Sequence, residues 1–295
     1  MCDTCGCGQP DSEVTIRRPG DPEPGHGHHQ EHQHHNDHHH NDHHQHDHPH
    51  DHHPHDHHHH GDERAHGHPH AAAAGPREIA VAEAVLAAND RQALLNRGWF
   101  AGRGVLALNL VSSPGAGKTT LLERTIADLR GEVPLAVIEG DQRTMRDAER
   151  IAAAGAPAVQ VNTGRGCHLD ADMVWRACGQ LQPTAGSVLM IENVGNLVCP
   201  AMFDLGEAAK IVIISVAEGD DKPLKYPYMF AASTLCLVNK LDLLPYVPFD
   251  IDACERAALA VNPRLEILRV SATTGQGLDR WYDWLRARRA PLCGD

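Results

Sequence analysis

Apolar residues along this chain are concentrated between positions 76 and 295, where they recur with two different periods. From Glu78 to about Arg97, the residues Ile79, Ala82, Val85, Leu86, Ala93 and Leu94 fall near helical spacing and predict a leading helix. After Gly104, the run Val105-Leu106-Ala107-Leu108-Asn109-Leu110-Val111 is short and mostly apolar, as expected of a strand buried on both faces. A helical pattern follows from Lys118 to about Arg130. Further apolar runs lie at 133–138, 187–191, 211–216, 234–238 and 265–270, most of them separated by segments of 10 or more residues able to form helices. Strands alternating with helices predict an α/β fold with a doubly wound, mainly parallel sheet. Such sheets bind ligands beyond the carboxyl ends of their strands.

Composition divides the chain. Of its 25 histidines, 24 fall between His26 and His70, and nine Asp and four Glu against three Arg before residue 76 carry −10 of the formal charge of −13. A stretch of His, Asp, Gly, Pro, Gln and Asn has too little apolar surface to offset the entropy lost on folding, so residues 8–75 are expected to be a disordered His-rich tail. Residues 1–7 form a separate cysteine motif, and the 220 residues from 76 to 295 suffice for one domain with a sizeable core. Neither segment has a basic stripe able to neutralise phosphates along a duplex, which argues against nucleic acid as a partner. No apolar run approaches the roughly 18 residues of a membrane helix, and the N-terminus lacks signal-peptide character, so a cytoplasmic location without membrane attachment is expected.

Ser112-Ser113-Pro114-Gly115-Ala116-Gly117-Lys118-Thr119 ends the first predicted strand and opens a helix, the context of a phosphate-binding loop. The amides of Gly115, Ala116, Gly117, Lys118 and Thr119 are placed to face phosphate oxygens, with Thr120 next in the motif. Lys118 is expected to neutralise the β- and γ-phosphates, and the Thr119 hydroxyl to ligate Mg²⁺. Ser112 stands where the Gly-x-x-x-x-Gly-Lys-Thr pattern opens with glycine. Asn239-Lys240-Leu241-Asp242 follows the strand at 234–238; a carboxylate such as Asp242 can accept from both N1 and N2 of guanine, a donor pair that adenine lacks. Ser271-Ala272-Thr273 is similar to the further base-contacting loop of G-proteins. Glu192 in Ile191-Glu192-Asn193-Val194-Gly195 occupies the Asp position of an Asp-x-x-Gly switch, where it would either orient a water or hold the shell around Mg²⁺. Asp141 is a second candidate for Mg²⁺ or water, and equally for a helix cap.

Nine cysteines in a long chain with an odd count read as metal ligands or buried hydrophobes in a reducing compartment. Cys178, Cys236, Cys254 and Cys293 stand alone and read as packing. Cys2, Cys5 and Cys7 put three thiols within six residues, a set that takes either tetrahedral Zn²⁺ or square-planar Ni²⁺. The imidazoles of the tract favour Ni²⁺, Cu²⁺ and Zn²⁺, and their interleaving with Asp, Pro and Asn distinguishes them from an expression tag. Cys167, His168 and Cys199 supply three more ligands, with Cys199 seven residues past Glu192 and so inside the presumed switch. Three ligands suit a site completed by water or shared across a two-fold axis.

These residues together, with Glu139-Gly140-Asp141, Gly166-Cys167-His168-Leu169, Glu192-Asn193-Val194-Gly195-Asn196-Leu197-Val198-Cys199-Pro200 and Lys222-Pro223-Leu224-Lys225-Tyr226-Pro227, resemble the hydrogenase-maturation GTPases of the HypB family, P-loop proteins of the SIMIBI group. The likeness covers residues 1–7 and nearly everything from 104 to 289. It implies a P-loop GTPase domain over 76–295 that hydrolyses GTP to GDP slowly, dimerises with nucleotide, and helps deliver Ni²⁺ to the large subunit of [NiFe] hydrogenase with the accessory protein HypA. It further implies nickel at Cys2, Cys5 and Cys7, nickel or zinc at Cys167, His168 and Cys199, and nickel storage by the histidines. Residue chemistry by itself reaches only a GTP-binding, transition-metal-binding protein. A passive metal reservoir, or a GTPase serving urease or zinc enzymes, is the competing reading.

Overall fold

The computed structural model describes residues 14–21, 76–141, 145–164 and 166–292. The expectations placed on Cys2, Cys5, Cys7, the histidines of 26–70 and Cys293 lie outside the described residues. A strand β1 (Thr15–Arg17) precedes helix α1 (Pro76–Arg103), after which strands and helices alternate: β2 (Leu106–Ser112), α2 (Lys118–Asp128), β3 (Leu135–Asp141), α3 (Arg146–Ala154), β4 (Ala158–Asn162), α4 (Ala171–Leu181), β5 (Val188–Glu192) and α5 (Cys199–Met202). Then follow β6 (Ala209–Ser215), α6 (Lys222–Lys225), α7 (Pro227–Ala232), β7 (Leu235–Asn239), α8 (Ile251–Val261), β8 (Glu266–Arg269) and α9 (Leu278–Arg289). The sheet order is β1-β4-β3-β5-β2-β6-β7-β8, parallel throughout except for β1. This is the doubly wound sheet that the alternation predicts.

Side chains alternate between the faces as strand geometry requires. Leu106, Leu108 and Leu110 of β2 join Val188 and Met190 of β5 and Ile211 and Ile213 of β6 in one core. Helices α2 and α9 cover that core with Leu121, Leu122, Trp281 and Leu285. On the opposite face, Ala107 and Ile191 pack with Phe100 of α1 and Val174 of α4, while Val212 and Ile214 pack with Phe230 of α7 and Cys254 of α8. Each such side chain removed from water contributes about 1.5–3 kcal/mol. The solitary Cys178, Cys236 and Cys254 are buried in these cores, as packing residues should be.

Two strands depart from the expectations. β4 escapes an apolar-run search because Gln160 interrupts it, although Gln160 is buried in the sheet. β1 lies within the 8–75 segment expected to lack structure, so that boundary does not hold at residues 14–21. Ile16 pairs with Val161 on the sheet edge, and Val14 and Ile16 pack against the α4-side core. The two apolar side chains and the open edge of β4 supply what the His-rich sequence lacks. The leading helix is longer than its periodicity predicts at both ends, and Trp99 and Phe100 in its last turns explain the C-terminal extension by packing on the core.

Candidate functional site

The loop after β2 turns through left-handed Gly115 (φ 79°) and Gly117 (φ 92°), a conformation that glycine adopts without steric cost. No side chain caps the N-terminus of α2, so its N–H groups remain available to an anion. A Cβ on Gly117 would stand 2.7 Å from Asn239 Nδ2, so the loop and the end of β7 meet without spare room. Lys118 is buried and its Nζ donates to Ser112 Oγ at 2.8 Å. Serine in place of the opening glycine therefore gives the lysine an acceptor while Ser112 itself donates to the carbonyl of Ser113.

A cavity of about 550 Å³ opens over this loop, lined by Pro114 to Thr120, Glu139 to Asp141, Glu192 to Gly195 and Lys240. Thr119 Oγ1 donates to Glu192 Oε1 at 2.9 Å. Glu139, quoted in the sequence motif but passed over there in favour of Asp141, forms the cavity's inner wall beside Glu192. Burial, and next the Glu192 carboxylate, hold Glu139 well above the ordinary carboxylate range; burial also raises Glu192 against the pull of Lys118. Glu139 Oε2 and Glu192 Oε2 are buried without a hydrogen-bond partner. Two carboxylates with oxygens to spare beside a threonine hydroxyl fit a hard divalent cation such as Mg²⁺. Asp141 ends β3 on the cavity wall, and Arg150, paired with Glu123 and Asp147, stands at its mouth.

The residues expected from the sequence to contact the base gather at the ends of β7 and β8. Asn239 Nδ2 donates to the Ala116 carbonyl at 2.9 Å and its Oδ1 accepts from Ala272 N at 3.2 Å, so one buried amide joins the phosphate loop to the loop after β8. Lys240, left-handed at φ 61°, reaches the Gly115 carbonyl at 2.7 Å. Ser271 Oγ donates to Asp242 Oδ1 at 2.5 Å and fixes the carboxylate. Lys222, quoted in the motif without a role, bonds Ser113 Oγ at 2.9 Å from the far side of the loop and pairs with Glu218.

Cys167, His168 and Cys199 come together although 30 residues lie between the last two. Their ligand atoms lie within 4.8 Å of one another, the one group of three or more potential ligands among the described residues. The sulfurs of Cys167 and Cys199 are in contact at 2.8 Å, and Cys167 Sγ is 3.6 Å from His168 Nδ1. His168 is buried, its ring 3.9 Å from that of Phe203, and burial lowers its pKa to about 4. The imidazole is thus neutral at physiological pH, the form that ligates metals. Two sulfurs and one nitrogen suit Zn²⁺ or Ni²⁺ and leave a fourth position open.

Helix α1 does more than cover the sheet. Asn89 accepts from Ala171 N and donates to the Asp204 carbonyl, Asn96 donates to the carbonyls of Ala171 and Leu205, and Arg97 pairs with Asp204. It therefore pins the exits of the two loops that carry Cys167, His168 and Cys199. Spaced asparagines in an otherwise ordinary helix were the only sequence signal of this role.

Residues 106–269 match the family model described as CobW/HypB/UreG, nucleotide-binding domain. Hydrogenase maturation factor HypB of Escherichia coli K12 is 57% identical over 213 residues, covering 72% of this chain and 73% of its own. That of Rhizobium leguminosarum bv. viciae is 58% identical over 217 residues, with 72% and 73% covered. Among solved structures, HypB from Helicobacter pylori in complex with nickel superposes with a TM-score of 0.65 at 37% identity, covering 69% of this chain and 95% of that one. HypB from Archaeoglobus fulgidus gives 0.65 at 38% identity, with 69% and 99% covered. With the family model matched over residues 106–269 and these relatives 57–58% identical over nearly three quarters of both chains, this chain belongs to the HypB family of P-loop hydrogenase maturation factors.

Proposed function

We propose that this protein is a GTP-hydrolysing nickel metallochaperone that binds Ni²⁺ and delivers it for insertion into the large subunit of [NiFe] hydrogenase. The observation that carries the reading is adjacency: Glu192 faces the phosphate loop through Thr119, and the same segment continues within seven residues to Cys199 of the thiol–imidazole cluster. A passive store has no need of that connection. The nickel-bound relative from Helicobacter pylori supports nickel as the cargo, while Zn²⁺ suits the same donors.

In the proposed cycle, Lys118 and the amides of Gly115 to Thr119 would hold the phosphates, Thr119 and Glu192 would hold Mg²⁺, and Asn239, Asp242, Ser271 and Ala272 would select guanine. When bound, Mg²⁺ would supply charge neutralisation at the phosphates. Glu139, Asp141 and Glu192 line the cavity and are the carboxylates available to orient the attacking water. Hydrolysis is slow, the protein dimerises with GTP, and HypA accepts or supplies the metal in the cytoplasm. Cys2, Cys5 and Cys7 bind nickel, and the histidines of 26–70 store it.

Replacing Lys118 by Ala tests the switch: GTP hydrolysis and hydrogenase nickel loading should be lost together, and retained loading would establish a store that does not use the nucleotide. Deleting residues 26–70 should lower nickel bound per chain while sparing maturation at ample nickel; loss of hydrogenase activity under those conditions would refute a storage role.

A further inference from the structure

A buried polar chain connects the nucleotide cavity to both loops of the thiol–imidazole cluster. Its junction is Asn193, next to Glu192 and 1% exposed. Asn193 Oδ1 accepts from Leu169 N at 3.0 Å, one residue past His168. Its Nδ2 donates to Asn109 Oδ1 at 3.2 Å, in the middle of β2, and Asn109 Nδ2 donates to Glu207 Oε1 at 3.1 Å. The same Glu207 oxygen lies 3.7 Å from Lys210 Nζ, and Glu207 Oε2 accepts from Leu205 N at 2.7 Å. Lys210 Nζ in turn donates to the carbonyls of Pro200 at 2.7 Å and Phe203 at 3.1 Å, the residue after Cys199 and the one whose ring covers His168. Lysine is almost never this buried without a reason, and here its protons go to the loop that carries the metal ligand.

We propose that Lys210 and Glu207, joined through Asn109 to Asn193, are positioning residues that make metal affinity at Cys167, His168 and Cys199 follow the state of Glu192. The inference rests on the switch reading given above and names the parts that execute it. When the Thr119 hydroxyl turns from Glu192 to a cation, Glu192 exchanges that partner for the cation, and Asn193, joined to it through the backbone, carries any displacement of the strand end to Leu169 and Asn109. Leu169 follows directly, since its amide hangs on Asn193 and its side chain fills the space beside Gly140, where a Cβ would meet it at 2.9 Å and the Glu192 carbonyl at 3.1 Å. The Cys199 loop follows through the charge pair. Asn193, Asn109, Glu207 and Lys210 are all hydrogen-bonded, and a buried network so satisfied has one preferred arrangement, so displacement at one end is passed on rather than absorbed.

The test uses the full chain at buffered free Zn²⁺, with GDP or with Mg²⁺ and a non-hydrolysable GTP analogue. Alkylation of Cys167 and Cys199, resolved peptide by peptide by mass spectrometry, gives the half-protecting Zn²⁺ concentration at this cluster whatever is bound elsewhere. In the parent protein the two nucleotides should differ by about fivefold or more. In the double variant Glu207→Gln/Lys210→Met, which leaves no charge unpaired, that ratio should fall to about one, with GTP hydrolysis unchanged. Asn109→Val, which cuts the chain in its middle and leaves the charge pair whole, should do the same and decides the matter if the double variant does not fold. Lys210→Arg should restore part of the ratio. A ratio kept in the variants, or a weakening equal under both nucleotides, overturns the relay while the switch reading stands. Equal protection by both nucleotides in the parent protein overturns the switch reading and the relay with it.

Discussion

His168 is the one histidine outside the N-terminal tract, and its burial makes a pH-dependent contribution to stability that can be isolated by replacing it with Gln. Its pKa falls from 6.5 to about 4 on folding because the ring is desolvated beneath Phe203. A depressed imidazole pKa means that the unfolded chain binds more protons, so stability is fully present above pH 6.5 and is lost as pH falls toward 4. Between pH 7 and pH 5 the loss from this one group is about 2 kcal/mol, rising to about 3 kcal/mol once the folded state protonates. Glu139, Glu192 and Glu207, whose burial raises their pKa values, act in the opposite sense: each adds stability as pH falls through its folded value. They are common to both proteins and cancel in the comparison. The assay is urea unfolding with a metal chelator at pH 7 and pH 5. The original protein should lose about 2 kcal/mol more than His168→Gln over that interval. Equal losses would show that the imidazole is solvated and refute the burial argument. The same low pKa means that metal capture draws no proton from His168 near neutrality, whereas exposed imidazoles of ordinary pKa compete with protons there.

Replacing Asp242 by Asn should turn base preference from guanine toward xanthine, because the amide donates where the 2-position of xanthine offers a carbonyl; a loss of GTP affinity of at least about a hundredfold is expected in nucleotide titration. Unchanged GTP affinity would remove Asp242 from the base site. Gly206 is left-handed at φ 87°, and a Cβ there would stand 2.6 Å from the Ala93 carbonyl and 2.7 Å from Asn96 Cβ. Gly206→Ala should cost about 1–3 kcal/mol and lower Tm by several degrees, read by thermal unfolding, with α1 displaced from the loop exits.

The motifs proposed to hold the nucleotide could be placed from sequence because they are contiguous and sit at the ends of apolar runs. Lys118 lines the cavity over the loop after β2, while Asn239 and Asp242 stand at and just past the end of β7, bonded to Ala116 and Ser271. Depth was not legible: Glu139 and Asp141 lie two residues apart on β3, yet the buried inner wall is made by Glu139 while Asp141 ends the strand. Asn109 did mark itself as a polar residue within an apolar run, but its partners Asn193 and Glu207 are 84 and 98 residues away, a separation that no local pattern spans. β1 could not be foreseen for a related reason, since three residues gain nothing as a strand until an edge is there to receive them. Cys167, His168 and Cys199 were named from donor chemistry and family likeness; that one lysine fastens the loop of Cys199 from behind was visible only in three dimensions.

The direction of β1 sets a limit on distance. Because it runs antiparallel to β4 with Thr15 opposite Asn162, the chain ahead of Val14 leaves the sheet at its carboxyl edge, the edge from which the Cys167 loop departs. Only seven peptide steps separate Cys7 from Val14, so contour length keeps that thiol within about 25 Å of where it is anchored. If Cys2, Cys5 and Cys7 hold an ion as proposed, that ion would meet the Cys167, His168 and Cys199 cluster at the effective concentration of a short tether, not at that of the surrounding solution.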